Sequence, residues 1–154
     1  MTTGTTLRVT RRGLLALMAG GSLAAGLYLF GDPARSDPIA PEVALARMQD
    51  KSLILIDIRR PDEWALTGVA RGAALLDMRD EDFVKTLDRL TGGNRAAPIA
   101  LICAKGVRSR RTAAKLTKAG FASVLDVSEG MLGSAAGPGW IARGLPVIPY
   151  LPGE

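Results

Sequence analysis

The chain has 154 residues, with 20 Lys and Arg against 15 Asp and Glu, one Cys and no His. This length suits one domain of ordinary size plus a short appendage, and 47% hydrophobic residues suffice to bury a core. The missing histidine excludes Cys–His and Ser–His–Asp nucleophile pairs and histidine-ligated zinc, while a single cysteine excludes internal disulfides, CxxC redox pairs and zinc ribbons.

The positive excess is concentrated in two places. Residues 1–31 carry Arg8, Arg11 and Arg12 and no acid, and residues 89–125 carry eight cations and no acid, so the rest is net acidic. In the first, Thr10-Arg11-Arg12-Gly13-Leu14-Leu15 leads into an uncharged apolar run over residues 14–30. A positive region followed by an apolar one predicts a bacterial export signal of twin-arginine type or an uncleaved membrane anchor, folded as an apolar helix. Both place the protein outside the cytoplasm, either periplasmic or held in the inner membrane facing the periplasm. Residues 32–39, with two prolines, read as a linker, and residues 40–150 as the folded domain.

Within that domain strands and helices alternate. Pro41 opens a helix over residues 41–48. Leu53-Ile54-Leu55-Ile56 is an aliphatic strand ending at Asp57, as expected for a strand covered on both faces. A short helix starts at Pro61, a short strand covers residues 72–76, and a helix with acids in its first turn covers residues 80–90. Pro98-Ile99-Ala100-Leu101-Ile102 is the next strand, ending at Cys103; a helix follows over residues 109–118 and a strand over residues 123–127. This order implies an α/β fold with a small parallel sheet flanked by helices, whose ligands bind beyond the carboxyl ends of the strands. Asp57, Arg59 and Cys103 fall at such ends. Asp57 and Arg59 are candidate substrate contacts, or else an ion pair bracing the strand.

The loop after Cys103 is where chemistry concentrates. A thiol between a buried strand and a helix N-terminus faces inward N–H groups and the positive end of the helix dipole. Lys105 and Arg108 add full charges, Gly106 gives the loop its backbone freedom, and together these favour thiolate over thiol. A lone cysteine can be activated this way without a histidine base. Cys103 is therefore the candidate nucleophile, and Ala104, Lys105, Gly106, Val107, Arg108 and Ser109 the candidate substrate-binding loop.

Cys103-Ala104-Lys105-Gly106-Val107-Arg108-Ser109 resembles the active-site loop of the rhodanese (thiosulfate sulfurtransferase) family. Further segments match in order: Asp57-Ile58-Arg59 with Pro61-Asp62-Glu63-Trp64, Gly72-Ala73, Ala119-Gly120-Phe121, Glu129-Gly130-Met131, and Trp140 before Gly144-Leu145-Pro146-Val147. The resemblance implies a rhodanese-like fold and a sulfurtransferase. Its cysteine takes sulfane sulfur from a small anionic donor such as thiosulfate, becomes a persulfide, and passes the sulfur to a thiol, cyanide or protein acceptor. Lys105 and Arg108 would hold the anion. Ala104 stands where thiosulfate-using members often have arginine, and residues 67–73 lack the family's frequent histidine. A persulfide carrier or protein-binding module without turnover is the alternative. A cysteine phosphatase fits less well, since its loop has one residue more between Cys and Arg. No metal or cofactor is implied, and the basic stretch lacks the interleaved aromatics of a nucleic-acid site.

Overall fold

The computed structural model describes residues 37–152. The expected export signal or anchor, its apolar helix and most of the linker lie outside the described residues. Among the described residues no helix is long and apolar enough to cross a membrane.

In chain order the elements are β1 (Asp37–Pro38), α1 (Pro41–Gln49), β2 (Ile54–Asp57), α2 (Pro61–Thr67), β3 (Val69–Ala70), β4 (Ala74–Leu75), α3 (Phe83–Leu90), β5 (Ile99–Ile102), α4 (Val107–Lys118), β6 (Val124–Asp126), α5 (Gly139–Ala142) and β7 (Val147–Ile148). Five strands form one sheet in the order β1-β6-β5-β2-β4, with every pair parallel. β3 and β7 form a separate antiparallel pair.

Strand alternation divides the core between the two faces of this sheet. Ile99, Leu101 and Cys103 share a cluster with Ile56, Leu87, Ala113, Leu116 and Phe121. Ala100 and Ile102 pack on the opposite side with Leu55, Ala44, Met131 and Trp140. Cys103 therefore belongs to the face that α4 covers. Ser109, Thr112, Ala113 and Leu116 form the buried stripe of α4, while Arg110, Arg111, Lys115 and Lys118 face solvent. Leu116 fixes α4 to the sheet, and its truncation to alanine would cost about 2–5 kcal/mol.

Some boundaries differ from the sequence expectation for local reasons. The helix expected from residue 80 begins at Phe83, because the Asp80 carboxylate accepts the Asp82 N–H at 2.8 Å and holds residues 80–82 in a turn. The acids therefore precede the helix. α4 begins at Val107 rather than Ser109, because left-handed Gly106 (φ +77°) turns the chain directly into the helix.

Candidate active site

Parallel pairing in register brings the strand ends together: Asp57 lies opposite Ile102, and Leu101 opposite Asp126. Cys103 follows between them, 1% exposed. Its Sγ receives the Ser109 N–H at 3.4 Å and lies 3.4 Å from Ser109 Oγ, whose hydroxyl donates to the Gly106 carbonyl at 3.1 Å. The N–H groups of Ala104, Lys105, Gly106, Val107 and Arg108 find no acceptor among the described residues. They are the orphan donors of a helix start and the loop before it, available to an anionic ligand.

The loop is clamped from the side of residues 127–132. Met131 N–H donates to the Cys103 carbonyl at 2.8 Å and Leu132 N–H to the Ala104 carbonyl at 2.9 Å. Gly106 is obligatory here: a Cβ on it would stand 2.0 Å from the Ser128 carbonyl oxygen. A Cβ on Gly130 would stand 2.5 Å from the Ala104 carbonyl oxygen, so the two loops meet backbone to backbone.

The two loop cations part company. Arg108 makes paired bonds to Glu63, Nη1 to Oε2 at 2.7 Å and Nη2 to Oε1 at 2.5 Å. Glu63 also accepts the Arg60 N–H at 3.1 Å, within the capping box that starts α2. Arg108 holds the Glu63 carboxyl below its usual range, against the opposing effect of burial. Glu63 in turn holds the Arg108 guanidinium charged, with a smaller contribution from neighbouring Cys103. Lys105 is exposed and lines an open cavity of about 460 Å³ on the other flank, with Gly106, Val107, Arg110, Asp126 and Ser128. Arg108 lines a different cavity, with Met78, Arg111 and Lys115. Lys105 and Arg108 thus line different cavities, with Arg108 paired to Glu63 while remaining beside Cys103.

Asp57 and Arg59 form the ion pair that the sequence reading set beside substrate contact. Both are fully buried. Arg59 Nε donates to Asp57 Oδ1 at 2.9 Å and Nη2 to Oδ2 at 2.7 Å. The remaining donors reach Thr67 Oγ1 at 2.7 Å and the Gly68 carbonyl at 2.8 Å. The pair braces the end of β2 against the end of α2, with the guanidinium donors taken up by Asp57, Thr67 and Gly68. Such a buried pair is costly to break from one side, by about 3–5 kcal/mol.

Two residues at the site escaped the sequence reading, Glu63 and Asp126. Glu63 could have been noticed as the acid at the third position of a helix opened by Pro61. The signal for Asp126 was a carboxylate inside an otherwise apolar strand.

The family model of the rhodanese-like domain matches residues 40–136. Thiosulfate sulfurtransferase GlpE of Pseudomonas fluorescens is 29% identical over 109 residues, covering 70% of this chain and 94% of that protein. The tRNA uridine(34) hydroxylase of Pelagibacter ubique is 27% identical over 107 residues, 70% of this chain, and the match spans only 35% of the hydroxylase. Among solved structures, the Wolinella succinogenes polysulfide-sulfur transferase homodimer has a TM-score of 0.56 at 20% identity, covering 88% of this chain and 96% of that one. With the same parallel α/β architecture, and a family model matching well over half of its length, the chain belongs to the rhodanese-like domain family.

Proposed function

We propose that the protein is a sulfurtransferase that moves sulfane sulfur from an anionic donor such as thiosulfate to a thiophilic acceptor through a persulfide on Cys103. The observation that carries this reading is a single buried thiol whose loop holds five N–H groups without acceptors among the described residues. Kinship with a thiosulfate sulfurtransferase supports the reaction class.

In this reaction the Cys103 thiolate attacks the outer sulfur of thiosulfate. A bond forms between Sγ and that sulfur, and the sulfur–sulfur bond of the donor breaks with its electron pair on departing sulfite. The persulfide keeps one negative charge on its outer sulfur, which the loop N–H groups and the dipole of α4 stabilise. Arg108, oriented by Glu63, adds positive charge beside the thiol, and Lys105 draws the anionic donor to the loop. No proton shuttle is needed, which suits a chain without histidine.

Export or anchoring through residues 1–31 forms part of the same proposal. Arg11-Arg12 ahead of an apolar run supports it, and the reaction would then occur on the periplasmic side.

The test is thiocyanate formation from thiosulfate and cyanide. Wild type turns over, and Cys103→Ser abolishes turnover. Absence of thiocyanate together with a one-sulfur adduct on Cys103 would replace turnover by the carrier reading. Absence of both would overturn the sulfur assignment.

A further inference from the structure

β6 places Asp126 on the same face as Val124, two residues further along and under the first turn of α4. Asp126 is 2% exposed, and its Oδ1 is fully covered with no hydrogen-bond partner among the described residues. Leaving a buried carboxyl unpartnered is unfavourable, and an aliphatic residue would serve the core better. Burial pushes the Asp126 carboxyl above its usual range, opposed by the Ser109 and Ser128 hydroxyls and by Arg110.

The cavity that Asp126 helps to line is bounded by Lys105 and Arg110, both exposed. Among the described residues neither has a carboxylate within ion-pair distance, whereas Arg95 pairs with Asp88 and Arg108 with Glu63. The cavity also abuts the start of α4, a 12-residue helix whose N-terminus has no side-chain cap among the described residues. A simple anion here would meet Asp126, and a simple cation would meet Lys105 and Arg110. A ligand bearing both charges satisfies both ends.

We propose that this cavity is the acceptor subsite and takes a small zwitterionic thiol of the α-amino-acid class, its ammonium on Asp126 and its carboxylate on Lys105 and Arg110. The proposal rests on the sulfurtransferase reading and specifies its acceptor. The chain has no second cysteine, so the sulfur must leave on another molecule. The acceptor thiol gives its proton to the anionic outer sulfur of the Cys103 persulfide, and the resulting thiolate attacks that sulfur. A new sulfur–sulfur bond forms, the bond to Sγ breaks with its electron pair returning to Sγ, and the proton stays on the transferred sulfur. Lys105 and Arg110 offset the negative charge that the acceptor brings.

The test is calorimetric titration of the full-length protein with S-methyl-L-cysteine, a thioether that cannot accept sulfur. The expected result is binding at least about tenfold tighter than that of N-acetyl-S-methyl-L-cysteine or S-methylcysteamine, which lack the ammonium and the carboxylate respectively. Asp126→Asn should weaken S-methyl-L-cysteine by about tenfold and leave the N-acetyl compound unaffected. Equal binding of the three compounds to wild type, or no binding of S-methyl-L-cysteine, would overturn the proposal whatever the variant does. Selective binding with neither thiocyanate formation nor a sulfur adduct on Cys103 upholds zwitterion recognition and removes the sulfur-transfer reading. Turnover with unselective binding removes this inference alone.

Discussion

The two flanks of the Cys103 loop contain similar residues and use them in opposite ways. On one flank Arg108 and Glu63, separated by 45 residues in sequence, close a two-bond ion pair. On the other, Asp126 is buried without a hydrogen-bond partner for Oδ1 among the described residues, and Lys105 and Arg110 stand exposed at the rim of a cavity. The paired flank fixes the loop's shape at the start of α2, and the unpaired flank leaves charge and donors unspent. A site that must hold a reactive sulfur still and yet admit changing partners needs both.

The comparison can be broken at several points. The largest effect is expected at the hinge between the flanks. Gly106→Ala forces a Cβ to within 2.0 Å of the Ser128 carbonyl oxygen in a left-handed conformation. Thiocyanate formation should fall by about 100-fold or more, with a loss of about 2–3 kcal/mol in denaturant stability. Unchanged activity would mean that the close contact of the two loops is not needed.

On the paired flank, Glu63→Gln leaves the part-buried Arg108 without its anion. Turnover should drop about tenfold through kcat, with a modest loss of stability. The stability loss is pH-dependent with a definite sign. The Glu63 carboxyl is lowered in the fold, so its contribution is present above its unfolded pKa and is lost as pH falls through the folded value. Wild type and variant should converge in melting temperature as the pH is taken below the ordinary glutamate range. A constant difference down to the most acidic pH would contradict the ion-pair account.

On the open flank, Lys105→Ala should raise the KM for thiosulfate several-fold and leave kcat nearly unchanged, since an exposed cation attracts an anion without shaping the transition state. An unchanged KM would remove Lys105 from donor binding. The smallest effect, and the one of opposite sign, is expected from Asp126→Asn. Burial raises the Asp126 carboxyl, so its ionisation opposes folding at neutral pH, and that penalty disappears below its unfolded pKa. The amide should therefore raise the melting temperature by a few degrees at neutral pH, with the gain fading on acidification. Two carboxylates beside one loop would thus titrate with opposite effects on stability.

Much of the frame was visible in the residue order. Ile54 to Ile56 and Ile99 to Ile102 are uninterrupted aliphatic runs, and α4 shows its buried stripe between outward cations, so hydrophobic pattern alone finds them. β1, β3 and β7 are two residues each and have no period to read. The nucleophile and its loop stood out because Cys103 is the only thiol and is followed by glycine and two cations. The destination of those cations was not visible, because the Arg108–Glu63 contact depends on where α2 packs. Local spacing likewise placed Asp57 and Arg59 at a strand end, but only the fold shows that Thr67 and Gly68 take up the remaining guanidinium donors. Asp126 was hidden because a strand of three residues gives too little alternation to mark an inward carboxylate.

The central claim, that Cys103 carries transferable sulfur, is tested most directly by intact-mass analysis after incubation with thiosulfate, followed by addition of cyanide. The account predicts a gain of one sulfur atom confined to Cys103, its removal by cyanide with release of thiocyanate, and neither event in Cys103→Ser. A wild-type protein that gains no sulfur from thiosulfate, polysulfide or any other sulfane donor would contradict it.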